Sequence, residues 1–151
     1  MRRIGSWVAL GIGMVITVGF LTANPGSADP TCDLKTLKGR YLFSLTGTLL
    51  PPAFGVTEPT PSAAAGFHIF NGDGTGKDIV TFRAGGNTVL LNEEAPFTYT
   101  VDADCTGSIT VAPPGPSFSI FIAPDGQSFA EISTAPQGNQ VSDVSRKVSP
   151  K

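Results

Sequence analysis

The sequence predicts an all-β protein: a single antiparallel up-and-down barrel of about eight strands, with a β-sandwich as the alternative. Short segments in which apolar and polar residues alternate recur at even spacing along the chain. The turns between them are rich in glycine, proline, asparagine and aspartate, and no segment after residue 28 has sustained helical periodicity. A barrel is favoured because closure removes the exposed edges of a sheet.

The first 28 residues predict an export signal. Arg2 and Arg3 form a short basic region, and the segment from residue 4 to Ala28 contains no charged residue. The residues just before Ala28 are small, as a signal peptidase requires. This layout is typical of a secretory signal peptide cleaved after Ala28. A retained membrane anchor is the alternative, but the apolar core is shorter than the roughly 20 residues of a span. We therefore expect an exported protein, periplasmic or extracellular, with a signal peptide (1–28) and one barrel domain (29–151).

The mature chain is predicted to begin with a lead-in, Asp29–Lys38, that forms either one helical turn or an extended segment. Gly39–Leu50 alternates and is the first predicted strand. Pro51–Pro61 contains four prolines and is predicted to be a loop. Phe54 and Val56 make this loop a candidate lid over an opening, although a surface loop with two anchoring apolar residues is favoured.

Two strands, Ala63–Phe70 and Lys77–Arg83, flank a turn that contains Asn-Gly and Asp-Gly pairs. These pairs favour the positive φ angles of tight hairpins. The same turn resembles the start of a calcium loop, but the twelfth position counted from Asn71 is Phe82 instead of an acidic ligand. A hairpin turn without a metal is therefore the prediction.

A short strand, Thr88–Leu91, and a turn, Asn92–Glu94, lead into the hairpin on which we expect the fold to be centred. The strands of this hairpin alternate, and its turn, Asp102–Gly107, contains one of the two cysteines. The side chains expected in the core are those of Phe97, Tyr99, Val101, Ile109 and Val111. Three more strands follow: Ser117–Ala123, Ser128–Thr134 and Val141–Val148.

Cys32 and Cys105 are the only cysteines. An even number of cysteines in an exported chain predicts one disulfide between them. Two thiols and one histidine without CxxC spacing do not form a zinc motif, so no metal site is expected.

The charge and the short motifs limit the classes of function. The chain has a net charge of −2 and becomes more acidic when Arg2 and Arg3 are removed, which argues against nucleic acid or an anionic membrane as a partner. No membrane span is expected after processing. No phosphate loop, dinucleotide fingerprint or nucleophile elbow is present. From the sequence we therefore expect no cofactor. A non-enzymatic role is favoured, and an enzyme is the alternative.

His68 and Glu131 are the candidate ligand-binding or buried polar residues. His68 is the only histidine and faces away from Phe67 and Ile69 on its strand; a lone histidine is more often a packing residue than a catalyst. If Glu131 faces inward, it is a buried carboxylate that needs a partner and indicates a ligand site. If it faces outward, it belongs to the solvated surface, and this is the favoured interpretation.

Gly39-Arg40-Tyr41 opens the first predicted strand, and Arg146 lies near the end of the last. The combination resembles the lipocalin signature, in which Gly-x-Trp on the first strand is covered by a late arginine; here tyrosine replaces tryptophan. The resemblance implies that Arg146 lies over the ring of Tyr41 and closes the barrel floor by cation–π attraction.

A wider set of short motifs spans nearly all of the mature chain. They are Cys32, Lys38-Gly39-x-Tyr41, Phe70-Asn71-Gly72-Asp73-Gly74-x-Gly76, Tyr99-Thr100-Val101-x-x-Asp104-Cys105-Thr106-Gly107 and Ile132-Ser133-Thr134. Together they resemble uncharacterised exported bacterial proteins that look like calycin or allene-oxide-cyclase-type barrels. The resemblance implies a fold and an exported location, and it brings no catalytic residue.

Three functions follow from these observations, in order of preference. The first is the binding of a small apolar ligand inside the barrel. The second is an interaction or structural protein of the envelope or extracellular space, which forms homo-oligomers through the two-sided apolar segments Gly66–Phe70 and Phe118–Ile122. The third is a small cyclase or isomerase, which requires a polar cluster around His68 or Glu131 inside the barrel.

Overall fold

Eight strands close into one antiparallel barrel in the computed structural model, which describes residues 31–148. Each strand pairs with the next along the chain, and the last pairs with the first, which confirms the predicted barrel and excludes the sandwich. The predicted signal peptide, 1–28, lies outside the described residues. The strands are β1 (Gly39–Leu49), β2 (Thr60–Phe70), β3 (Thr75–Ala84), β4 (Asn87–Val101), β5 (Thr106–Val111), β6 (Ser117–Ile122), β7 (Ser128–Ala135) and β8 (Asn139–Val148).

The central hairpin contributes to the core as predicted, because alternate side chains along a strand point to opposite faces. Phe97 and Tyr99 of β4 and Ile109 and Val111 of β5 are buried, while Val101 is half-buried. In β6 the buried side chains are Phe118, Ile120 and Ile122.

The predicted turn at Asn92–Glu94 is wrong, because β4 continues through it without a break. Asn92 adopts a φ of 52°, and its N–H donates to Thr81 Oγ1 at 3.1 Å. The register between β3 and β4 shifts next to this contact. Asparagine tolerates the left-handed region, so the polar run forms a β-bulge instead of a turn. β2 also begins earlier than predicted, at Thr60.

A short 3₁₀ turn, Leu34–Leu37, covers one end of the barrel, which we call the closed end. The Asp33 carboxylate accepts hydrogen bonds from the N–H groups of Lys35 and Thr36 and caps this turn. Leu37 is fully buried. The predicted disulfide is present: Cys32 is bonded to Cys105 in the turn after β4, which ties the lead-in to the sheet.

The opposite end, which we call the open end, carries the loop from 50 to 59 and the turn from 112 to 116 between β5 and β6. A second 3₁₀ turn, Ala53–Gly55, lies in the longer loop. Between residues 31 and 148, no helix is long and apolar enough to cross a membrane.

Candidate functional site

A cavity of about 510 Å³ occupies the open half of the barrel, and this volume lies within the range of small-molecule sites. Its walls are mostly apolar. The predicted loop contributes Phe54, which lines the cavity and is 44% exposed. The inner wall includes Phe43, Leu45, Ala64, Val80, Phe82, Val111, Phe118 and Val141.

His68 lies at the inner boundary of this cavity between two carboxylates. Its Nδ1 is 2.6 Å from Asp78 Oδ1, and its Nε2 is 3.3 Å from Glu131 Oε1. All three side chains are buried, and the ring of Phe43 stacks on the imidazole at a centroid distance of 4.3 Å. The strands position the trio, because His68 and Asp78 are cross-strand partners in β2 and β3, and Glu131 comes from β7.

The expectation that Glu131 faces solvent is therefore wrong. On β7 the inward positions are those of Phe129 and Glu131, which leaves Ile132 outside and 52% exposed. Pairing with His68 compensates the carboxylate for the loss of water, and an exposed isoleucine costs little by comparison. The structure thus brings the two predicted polar residues into contact.

His68 is an imidazolium at neutral pH. Burial by itself disfavours the charge, but the hydrogen bonds and negative charges of Asp78 and Glu131 outweigh it and raise the pKa of His68 to about 10. Both ring nitrogens then carry protons, and each donates to a carboxylate. His68 consequently has no lone pair to offer as a general base.

A third carboxylate, Asp143 of β8, lies opposite Glu131 in the sheet. The pairing of β1 with β8 is interrupted between the Leu42–Arg146 and Thr46–Ser142 pairs. Within this gap Asp143 Oδ2 accepts the Ser44 N–H at 2.9 Å, in place of a backbone carbonyl. Burial and the nearby charge of Glu131 raise the pKa of Asp143 to about 6.

The predicted pair of Tyr41 and Arg146 is not formed. Tyr41 is buried at the closed end, where its hydroxyl donates to the Gly126 carbonyl at 2.5 Å. Arg146 lies on the outer face of β8, opposite the exposed Leu42. The cation near the ring is instead Lys147, whose Nζ is 5.6 Å from the Tyr41 centroid. The odd-numbered residues of β8 face inward. The predicted cation, Arg146, is therefore one position away along the strand from the observed one, Lys147.

Sequence reasoning missed Asp78 and Asp143. A signal for Asp78 exists: the Asn-Gly turn at 71–72 fixes the hairpin register, and that register sets Asp78 opposite His68. No comparable local signal identifies Asp143, because its role depends on the closing strand.

Comparisons with protein families and with curated proteins assign no function to this site. No protein-family model matches the chain, and no curated protein matches it either. The closed eight-stranded barrel is consistent with calycin-like folds. Among residues 31–148, no group of three or more His, Cys, Asp or Glu side chains is arranged to hold a metal ion.

Proposed function

We propose that this protein is an exported binding protein that holds a small, mainly apolar molecule in the open half of the barrel. The observation that carries the proposal is the cavity of about 510 Å³, whose walls are apolar and whose inner boundary is the buried His68–Asp78 pair. An apolar pocket with a few convergent polar groups is the usual form of a small-molecule site.

Side-chain size supports this interpretation. An eight-stranded barrel is just wide enough either to be filled by its side chains or to hold one small ligand. The closed half is filled with aromatic rings, whereas the walls of the open half include Ala64, Val80 and Val141. The cavity wall thus mixes these smaller residues with aromatic ones such as Phe43 and Phe118.

Export is the second part of the proposal. The disulfide between Cys32 and Cys105 supports it, because such bonds persist in oxidising compartments outside the cytosol. The layout of residues 1–28 supports it independently. Intact-mass analysis of the secreted protein should find a mature chain that begins at or near Asp29; a chain that retains Met1 to Ala28 would contradict export with cleavage.

Binding can be tested with N-phenyl-1-naphthylamine, an uncharged apolar fluorophore. The wild-type protein should give a saturable rise in fluorescence with one site per chain. Val80→Trp places a large ring in the cavity and should weaken binding at least about tenfold, because it removes ligand volume. Ile79→Trp, one residue away on the opposite face of β3, is the matched control and should bind like wild type.

Two results would reject the binding proposal. One is the absence of saturable binding by the wild-type protein. The other is unchanged binding by a folded Val80→Trp variant, which would place the fluorophore outside the cavity.

The enzyme hypothesis required a polar cluster in the barrel, and His68, Asp78 and Glu131 form one. Its arrangement favours binding over proton transfer, because His68 is already protonated and donates through both nitrogens. We therefore propose a ligand-binding role ahead of a cyclase or isomerase.

Homo-oligomer formation is the second candidate function, and the outer face of the barrel supports it. Phe121, Ile132 and Val144 are exposed on neighbouring strands β6, β7 and β8. By contrast, Phe67 on β2 is covered by Arg40, whose Cζ lies 3.5 Å from the ring centroid.

Sedimentation can test homo-oligomer formation by comparing wild type with Phe121→Ser. The wild-type protein should self-associate, and the variant should do so more weakly. A wild-type protein that stays monomeric at high concentration would reject homo-oligomer formation.

A further inference from the structure

We propose that the cavity selects apolar molecules whose polar end is a protonated amine and discriminates against carboxylates. This inference rests on the proposed binding function and specifies the chemistry of its ligand. It follows from the charges of the cavity wall and from the direction of the hydrogen bonds at its inner boundary.

The charged groups of the cavity are almost all negative. Within the described part of the chain, the cavity wall contains no lysine or arginine, and its charged residues are Asp78, Glu93, Glu94 and His68. Glu94 Oε1 is 2.8 Å from Lys77 Nζ, in a pair whose side chains are both exposed to solvent. The other two acidic groups of the wall are Asp78, which is hydrogen-bonded to His68 through Oδ1, and Glu93.

The inner boundary of the cavity accepts hydrogen bonds and does not donate them. Both N–H groups of His68 are directed to Asp78 and Glu131, so the imidazolium presents no donor to a ligand. A carboxylate has about four acceptor positions on its two oxygens, and the contact with His68 involves only Oδ1 of Asp78. An ammonium group can therefore donate to Asp78, whereas a ligand carboxylate at this boundary would meet a like charge and receive no hydrogen bond from His68.

Glu93 extends the negative charge to the rim of the cavity. It is opposite Val80 in the pairing of β3 with β4, and Val80 lines the cavity. Glu93 is itself exposed, so it lies between solvent and the deeper Asp78. Apolar walls of low dielectric constant focus the field of such charges along the cavity, which attracts a cation and repels an anion.

Three naphthalene compounds of similar size test the inference: 1-naphthylmethylamine, 1-naphthalenemethanol and 1-naphthoic acid. Their affinities for the wild-type protein are measured by calorimetry at pH 7.5 and low salt. We expect the amine to bind more tightly than the alcohol and the alcohol more tightly than the acid, with at least about a tenfold difference between amine and acid.

Variants assign the preference to the two carboxylates. Glu93→Gln removes a charge at the exposed rim without touching His68, and it should reduce the ratio of amine to alcohol affinity about threefold. Asp78→Asn should remove most of that ratio. Because Asp78 also holds His68, Glu93→Gln keeps the inference testable if Asp78→Asn does not fold.

The outcomes separate this inference from the proposed function. An acid or alcohol that binds as tightly as the amine, or a ratio that folded Glu93→Gln leaves unchanged, overturns the amine preference. If the amine preference fails in this way but the wild-type protein still binds N-phenyl-1-naphthylamine, the proposed binding function is retained. If neither the naphthalene series nor that fluorophore binds, both proposals are rejected.

Discussion

The two halves of this barrel are built from the same eight strands and have opposite interiors. In the closed half, Phe70 makes edge-to-face contacts with the rings of Tyr41, Phe97, Tyr99 and Phe129, at centroid distances from 4.9 to 5.6 Å. In the open half, the same strands surround a cavity of about 510 Å³.

The difference arises from small changes along each strand. On β3, Gly76 in the closed half lies so close to Phe97 that an added Cβ would be 2.3 Å from the ring. Farther along the same strand, Val80 and Phe82 line the cavity. Gly76 thus makes room for a neighbouring ring at one end of the strand, while Val80 and Phe82 border open space at the other. The comparison teaches that a packed core and a cavity can occupy different ends of one sheet.

The largest expected effect contrasts two phenylalanines. Phe129, 1% exposed in the closed half, contacts Tyr41, Phe70 and His68. Phe129→Ala should lower the free energy of unfolding by about 3 to 5 kcal/mol, because it empties a packed site. Phe54→Ala, at the cavity mouth, should cost less than about 1 kcal/mol. Denaturant unfolding measures both, and equal costs would show that the halves do not differ in stability.

The disulfide belongs to the closed half, so its removal should leave binding intact. Cys32→Ala with Cys105→Ala opens a link across 73 positions and should cost up to about 4 kcal/mol of unfolding free energy. The affinity for N-phenyl-1-naphthylamine should change less than about twofold in the folded variant. A large loss of affinity would mean that the two ends are coupled.

His68 lies at the boundary between the halves and should make stability depend on pH. Its pKa is raised to about 10 in the folded protein from an ordinary 6.5, so its stabilising effect is complete below pH 6.5 and is lost as the pH rises through 10. Between pH 7 and 9.5, the free energy of unfolding should fall by roughly 1 kcal/mol per pH unit. His68→Gln should remove that slope. A wild-type stability that is flat over this range would contradict the charged imidazolium.

The smallest effect is expected beyond the bulge in β4, where the hairpin extends past the core. Leu91 is 66% exposed there, and Leu91→Ser should change the free energy of unfolding by less than about 0.5 kcal/mol. Thermal and denaturant melts should therefore superimpose on those of wild type. A clear destabilisation would show that this end contributes to the core after all.

Much of the fold could be predicted because alternation and turn chemistry are local. The disulfide required only the count of cysteines in a chain expected to be exported, and the inward faces of β4 and β5 required only the alternation of their residues. Asn92 was misinterpreted because the same polar residues favour a turn and a β-bulge, and only the partner strand with Thr81 decides between them.

The site was less predictable than the fold. The wrong predictions for Glu131 and Arg146 both concern which face of a strand points inward. On β8 the apolar alternation favours Val144, Arg146 and Val148, yet Val144 is 60% exposed and Asp143 lies near Glu131. Pairing of the buried carboxylates with one imidazolium compensates for the cost of that reversal. Such compensation depends on residues from four strands and has no signature within any one of them.

The interrupted seam between β1 and β8 also bears on the order in which the chain folds. These strands are the first and the last to be synthesised, and contacts between distant parts of a chain form slowly. In the folded barrel, β8 is the strand that pairs with the remaining edges of both β1 and β7. Docking of the eighth strand therefore closes the sheet and leaves it without a free edge. A chain whose eighth strand has not docked would present these two edges to the same strand of another copy.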